Sequence, residues 1–264
     1  MKHTLNSIFK NAEQNYNIIC KTHKLLESSY ELKIPIHSAG QWILDNMYII
    51  EEQYEEIKEA RRSLKSKRLP AIITHDGDKY ISIFYLAYEL VEQNTGYIDQ
   101  NLILNCLKEH QKLSYLTSEE LDLFILMLKI ALLKFIARIC INITNSQAKK
   151  IEVEEIIINE NSDSKYSKEI FLNLRKKFYL KDYIINENHI KTANTAFIEY
   201  MSYRLKELGT KGEKYFDRLK DEAEKIGFTV EEAIIKEHME IAKTTDYIGR
   251  AILAYKQIQG INFR

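Results

Sequence analysis
HSAGQWILDNMYIIEEQ, residues 37–53, decides how this chain is read. From it Ile43, Met47, Ile50, Tyr54 and Ile57 follow at steps of four, three, four and three. Such steps return a side chain to the same face of an α-helix, so these residues form one apolar stripe. Ser38 precedes the stripe and Gln41 sits three residues on, the spacing of a capping box. A helix is therefore predicted to start at Ser38. The only tryptophan, Trp42, lies one turn from the polar pair Asp45 and Asn46.

The helix is predicted to run to about Lys67. Glu51, Glu52, Glu55, Glu56 and Glu59 come early in it, while Lys58, Arg61, Arg62, Lys65, Lys67 and Arg68 come late. That order matches the helix macrodipole. Leu69-Pro70 ends the segment. A helix from Leu5 to about Ser29 precedes it and stops before Pro35. A polar loop with Asp76-Gly77-Asp78 follows, and then Tyr80, Ile83, Phe84, Ala87 and Val91 stand at helical spacing. Asn94-Thr95-Gly96 closes that helix, with Gly96 suited to a left-handed turn. Asp99 caps a short helix to about Gln111. Thr117 and Glu120 form a capping box for an apolar helix ending near Asn142. Between Gln147 and Asp163, Ile151, Val153 and Ile156 to Ile158 favour strand through their branching. Glu152, Glu154, Glu155 and the helical surroundings favour helix, which is the reading adopted. Asn159 to Ser164 reads as a loop. Helices are predicted over Lys165–Leu180, from about Asn188 to Leu208, and from about Glu213 to a stop at Gly227. Thr229 and Glu232 open the last, to about Gln259. The sum is an all-α fold, an irregular bundle of roughly eight or nine helices. We read residues 1–264 as a single domain, with a break near 159–164 as the alternative.

Composition agrees. Only 2 prolines and 8 glycines punctuate 264 residues, and strand-and-turn architectures need more breaks. Lys+Arg and Asp+Glu both total 38, so the basic excess of a nucleic-acid binder is missing. Cys20, Cys106 and Cys140 form no CxxC pair, which argues against a disulfide framework or a zinc site. Buried thiols in a reducing cytoplasm fit them better. The amino terminus MKHTLNSIFKNAEQN has no signal-peptide run. Leu121 to Ile143 is the longest apolar stretch, but Asp122, Lys129, Lys134 and Arg138 interrupt it. Charges at mid-span are costly in lipid, so a core helix is expected rather than a transmembrane span.

Few residues suggest chemistry. Asp76-Gly77-Asp78 looks like the Asp-x-Asp of nucleotide-sugar transferases, which hold a divalent cation beside a diphosphate. Those motifs follow a strand in an α/β fold, and here a solvated turn is the plainer reading. His238, beside Glu237, lies two turns before Asp246 on nearly the same helix side. A His–Asp pair serves acid–base catalysis, and more often makes a structural contact. There is no HExxH and no GxSxG. Trp42, Tyr48, Tyr54, Tyr85, Tyr88 and Tyr97 fit core or core rim better than a ligand platform.

The chain also resembles the N-terminal region of the cyclic β-1,2-glucan synthases, large bacterial membrane glycosyltransferases. HSAGQWILDNMYIIEEQ, Leu69-Pro70, Tyr85-Leu86-Ala87-Tyr88-Glu89-Leu90, Thr95-Gly96 and Ile98-Asp99 carry the first part of the resemblance. Leu116-Thr117, Glu120-Leu121, Met127-Leu128, Ala131-Leu132, Glu231-Glu232, Glu237-His238 and Ile261-Asn262-Phe263 carry the rest, in the same order. Ser38 and Asp122 depart from the pattern, Ile261-Asn262-Phe263 replaces its Ile-Asp-Trp, and residues 145–185 match poorly. The resemblance implies a helical accessory module that supports UDP-glucose-dependent glucan synthesis by docking on, or organising, the transferase domain. It implies no catalytic residue, metal or cofactor in this chain, because the family's transferase motifs are not in it. It implies a cytoplasmic place, at the inner face of the membrane where such an enzyme sits. The expected binding surface comprises His37, Trp42, Asp45, Asn46 and Glu51 together with His238 and Asp246. A stand-alone scaffold binding another protein partner is the alternative. An enzyme built on Asp76, Asp78 or His238 is a third reading.

Overall fold
The computed structural model describes residues 4–64, 69–73, 77, 79–161, 187–259 and 261, without the side chains of 158–161 and 187–194. In chain order the elements are α1 (Leu5–Glu31), α2 (Ser38–Leu64), β1 (Ala71–Ile73), β2 (Lys79–Ile81), α3 (Ser82–Gln93), α4 (Gln100–Leu113) and α5 (Ser118–Asn161). After them come α6 (Glu187–Glu207), α7 (Thr210–Glu213), α8 (Phe216–Lys225) and α9 (Val230–Ile258). The fold is all-α, with nine helices among the described residues.

The chain forms two compact units. The first comprises Met1–Cys20, Asp45–Ile139 and Asp246–Arg264; the second comprises Lys21–Leu44 and Cys140–Thr245.

In the first unit the apolar stretch of α5 is core. Phe124, Met127, Leu128, Ala131, Leu132, Leu133, Phe135 and Ile136 are all buried. Its cations find partners. Lys129 is buried against Glu56, Lys134 lies 3.7 Å from the centre of the Tyr88 ring, and Arg138 is 2.7 Å from Glu92. Among the described residues no helix is long and apolar enough to cross a membrane. The joint between α3 and α4 follows the sequence closely. Gly96 has φ +83° and donates its amide to Val91 at 2.9 Å, and Asp99 Oδ1 accepts from the Leu102 amide at 2.7 Å. At the head of α5, Glu120 N donates to Thr117 Oγ1 at 3.2 Å, and Thr117 N donates to Glu120 Oε2 at 3.1 Å. Both halves of the predicted capping box are present.

The segment after α2 is different. Ala71–Ile73 and Lys79–Ile81 pair as an antiparallel hairpin, and α3 begins only at Ser82. Tyr80, predicted as helical, lies in β2. In sequence, branched residues flank Asp76-Gly77, a hairpin signal that outweighs the helical spacing of one tyrosine. Asp76 and Asp78 lie outside the described residues.

In the second unit Ile198, Met201 and Leu205 of α6 pack with Leu219, Ala223, Val230 and Ala233, and Val153 and Ile157 of α5 join them. The β-branched run is thus helical. Glu154 of the same run accepts from Tyr200 Oη at 2.6 Å and lies 2.8 Å from Arg204 Nε. Burial of Val153 and Ile157, four residues apart, overrides strand propensity. The predicted stop near Asn142 and the loop at Asn159 give way to one helix through Asn161. The helix predicted over residues 165–180 lies outside the described residues. The segment from Glu213 is split into α7 and α8, and Gly227 turns the chain at φ +79°. At Thr229 the other capping box forms, with Thr229 N on Glu232 Oε2 at 2.8 Å and Glu232 N on Thr229 Oγ1 at 3.1 Å.

A candidate binding cleft at His37 and Glu237
The start of α2 differs in detail from its prediction, and the difference exposes the cleft. The His37 carbonyl accepts from the Gly40 and Gln41 amides, at 2.8 and 3.1 Å. Ser38 is already inside the helix, and its hydroxyl pairs with Thr245 Oγ1 at 2.8 Å. His37 therefore holds the cap position. Gly40 brings the helix close, because a Cβ there would stand 2.6 Å from Ile36 Cγ2.

His37 lines a small cleft in the second unit, about 30 Å³ in volume and partly open to solvent. Leu26, Ile36, Ile143 and Ile241 supply its apolar wall; Asn142, Ser146, Gln147, Glu237, Glu240 and Thr244 supply polar groups. Glu237 is 1% exposed, and its two oxygens accept from Ser146 Oγ at 3.1 Å and Thr195 Oγ1 at 2.8 Å. Burial raises the Glu237 carboxyl, and the two hydroxyl donors oppose that. Lys150 is equally buried and donates to the Pro35 carbonyl at 3.0 Å. Burial lowers its ammonium to about 8, against the pull of Glu199 and Glu237. His37 is pushed down to about 3, by burial first and then by the charges of Lys150 and His238. The imidazole is consequently neutral at physiological pH.

Two nitrogens of this lining, His37 Nε2 and Gln147 Nε2, are closed to solvent and have no hydrogen-bond partner. An orphaned buried polar atom costs roughly 1–3 kcal/mol. The cleft wall thus carries an uncharged imidazole and a carboxyl group fixed by hydroxyls, while the two orphaned nitrogens lie out of reach of solvent. The first two groups suit recognition of a polar ligand. Among the described residues no three His, Cys, Asp or Glu side chains stand together as a metal site.

The expected binding residues divide as follows. His37 lines the cleft, and His238 acts on it electrostatically and stands 3.5 Å from Glu199 Oε1. Trp42 is partly buried in the second unit. Asp45, Asn46, Glu51 and Asp246 belong to the first unit. Asp45 and Glu51 are exposed, and Asn46 leaves helical geometry within α2 at φ −123°, ψ 16°. Asp246 is held by Arg250, with Nε–Oδ1 at 2.8 Å, so it and His238 have separate partners.

Gln147, Lys150 and Thr195 were not singled out from sequence, and Glu237 was named beside His238 and in the resemblance but not as a binding residue. A signal existed for Glu237. Val230, Ala233, Glu237, Ile241 and Ile248 follow at helical steps, so a carboxylate interrupts an apolar stripe. No protein-family model matches the chain, and no curated protein matches it.

Proposed function
We propose that this chain is a non-catalytic helical module of a cyclic β-1,2-glucan synthase-like system. In this reading it supports UDP-glucose-dependent glucan synthesis by docking on the transferase domain or organising the membrane enzyme. The supporting observation is a convergence. The block that opens with His37 and the block Glu237-His238 lie at opposite ends of the resemblance, and His37 and Glu237 line the same cleft. Other resembling residues sit where elements are positioned: Gly96 at a left-handed turn, Asp99 as a helix cap, Thr117 with Glu120 as a capping box. Ordered similarity that falls on positioning residues is what a shared fold produces.

The test is removal of the gene segment in its native host, with β-1,2-glucan measured by NMR of cell extracts. Glucan is expected to fall sharply and to return when the chain is supplied separately. Unchanged glucan in the deletion strain would refute the proposal, as would robust synthesis by the purified chain given only UDP-glucose, a divalent cation and acceptor. The scaffold alternative draws on Ile235 and Met239, exposed at 60% and 67% and one helical turn apart on α9. A soluble partner captured through those two residues, with glucan unaffected, would favour it.

A further inference from the structure
The outer face of α9 in the second unit carries a charge pattern that the core does not use. Val230, Ala233 and Glu237 are buried and mark the inward side of the helix. Glu231, Ile235, Met239 and Lys243 follow at steps of four, and all four are exposed. Ile235 is 60% exposed and Met239 67%. Single exposed apolar residues are ordinary on a protein surface. Here two are neighbours in one row, with an acid at one end of it and a base at the other. A further apolar group widens the patch. His238 Nε2 lies 3.5 Å from Glu199 Oε1, so the face of α6 that carries Glu199 and, one turn on, Tyr203 runs beside this part of α9. Tyr203 is 48% exposed. Ala242 is exposed on the same outer face, and its small side chain permits close approach.

Such a row is its own complement. Rows of side chains four apart interdigitate when two helices cross at about 50°. A two-fold axis through the midpoint of the row lays it antiparallel to the same row of a second copy. Ile235 then meets Met239, Glu231 meets Lys243, and each pair occurs twice. A two-fold contact requires self-complementarity of this kind, and a row of like charges would lack it. We propose that the face of α9 bearing Ile235 and Met239 is a homodimer interface, with Glu231 of one copy paired to Lys243 of the other. One helix row per copy is small beside a permanent interface, so the dimer is weak and forms at roughly tens of micromolar. The proposal does not rest on the glucan-synthase reading. Dimerisation is measured on the purified chain, and glucan output in cells is a separate readout, so either can fail without the other.

The test is sedimentation equilibrium of the full 264-residue chain at about pH 8.5, where net negative charge holds non-specific association down. From about 1 to 200 μM the chain is expected to fit a monomer–dimer equilibrium that stops at two. Met239→Lys, at an exposed position, is expected to weaken the dimer by about tenfold or more with an unchanged circular dichroism spectrum. The charge pairs give a test that loss of apolar surface cannot imitate. Glu231→Lys and Lys243→Glu are each expected to weaken the dimer by about tenfold, because each replaces two attractions with two repulsions. Mixing these two variants restores opposite charges at both pairs, and the mixed dimer is expected to form within about threefold of the parent affinity. Should Glu231→Lys disturb the helix start, Lys243→Glu and Met239→Lys must still weaken the dimer. The proposal is overturned if the chain stays monomeric throughout, or if association runs on past two. It is also overturned if folded Met239→Lys or Lys243→Glu dimerises as tightly as the parent, or if the mixture is no tighter than either charge variant alone. A monomeric chain whose Ile235 and Met239 capture a different protein falls under the first of these outcomes.

Discussion
At the scale of single residues, His37 couples the fold to pH. Its folded value, about 3, lies below the ordinary 6.5, so between those values the unfolded chain holds a proton that the folded chain refuses. The stability contributed by the neutral imidazole is complete above pH 6.5 and is lost as pH falls toward 3, by at most about 1.4 kcal/mol per pH unit. Glu237 acts in the opposite sense. Its raised carboxyl binds a proton more readily in the folded state, which favours the fold as pH falls toward the ordinary carboxyl range. A His37→Gln chain isolates the first effect. Urea unfolding at pH 7 and pH 4.5 should show a smaller acid loss for this variant than for the parent, and equal losses would mean that the imidazole is not buried neutral. Gly96 permits a sharper comparison. Gly96 and Gly77 have nearly the same φ, +83° and +79°, but a Cβ at Gly96 would lie 2.8 Å from Phe135 Cε1 while Gly77 has open space around it. Gly77→Ala should cost about 1 kcal/mol for backbone strain alone, and Gly96→Ala about 2–3 kcal/mol. Equal costs by urea titration would show that Phe135 yields without penalty. Gly96 was legible in the sequence because its role is local. Gln147 and Lys150 were not, because their roles come from what packs around them.

At the scale of elements, the same divide separates helix starts from helix ends. Asp99, Thr117 and Thr229 announce their helices through hydrogen bonds that span three residues, so the sequence displays them. Ser38 had the same signature, yet Thr245 takes its hydroxyl, a competitor 207 positions away. The length of α5 was hidden for a similar reason. Nothing local distinguishes a helix that stops near Asn142 from one that continues, until Val153 and Ile157 acquire the core of α6 and α9 to pack against. Thr117→Ala removes one half of the box that starts α5 and should cost about 1 kcal/mol in urea unfolding. Within α5, the ion pair of Lys129 with Glu56 is lopsided, since the Lys129 side chain is 7% exposed and that of Glu56 is 47%. Glu56→Ala strands a buried ammonium and should cost about 3 kcal/mol, whereas Lys129→Met leaves a carboxylate that water reaches and should change stability by less than about 1 kcal/mol. The reverse ranking would mean that Lys129 escapes to solvent when its partner is removed.

At the scale of the whole molecule, composition alone carried the fold class, since so few prolines and glycines leave long helices as the economical use of the chain. It carried the site poorly, because a cleft gathered from α1, α2, α5 and α9 has no contiguous signature. Net charge has its own consequence. Lysines and arginines balance aspartates and glutamates, 38 against 38, and the isoelectric point is about 7.1. Long-range repulsion between copies therefore vanishes close to neutrality. Large apolar side chains are exposed, Leu113 at 90%, Tyr115 at 85% and Ile73 at 73%, so attraction between copies does not vanish with it. Self-association should peak near pH 7 and fall at about pH 8.5, where the chain is net negative. Light scattering at fixed protein concentration reads this directly. A Leu113→Lys, Tyr115→Ser double variant should lower scattering at pH 7 without altering unfolding, because neither side chain is packed. If scattering stays flat across that range in the parent, charge balance does not govern association. If the double variant scatters like the parent, the contacts are made elsewhere on the surface, and Ile235 with Met239 becomes the next pair to replace.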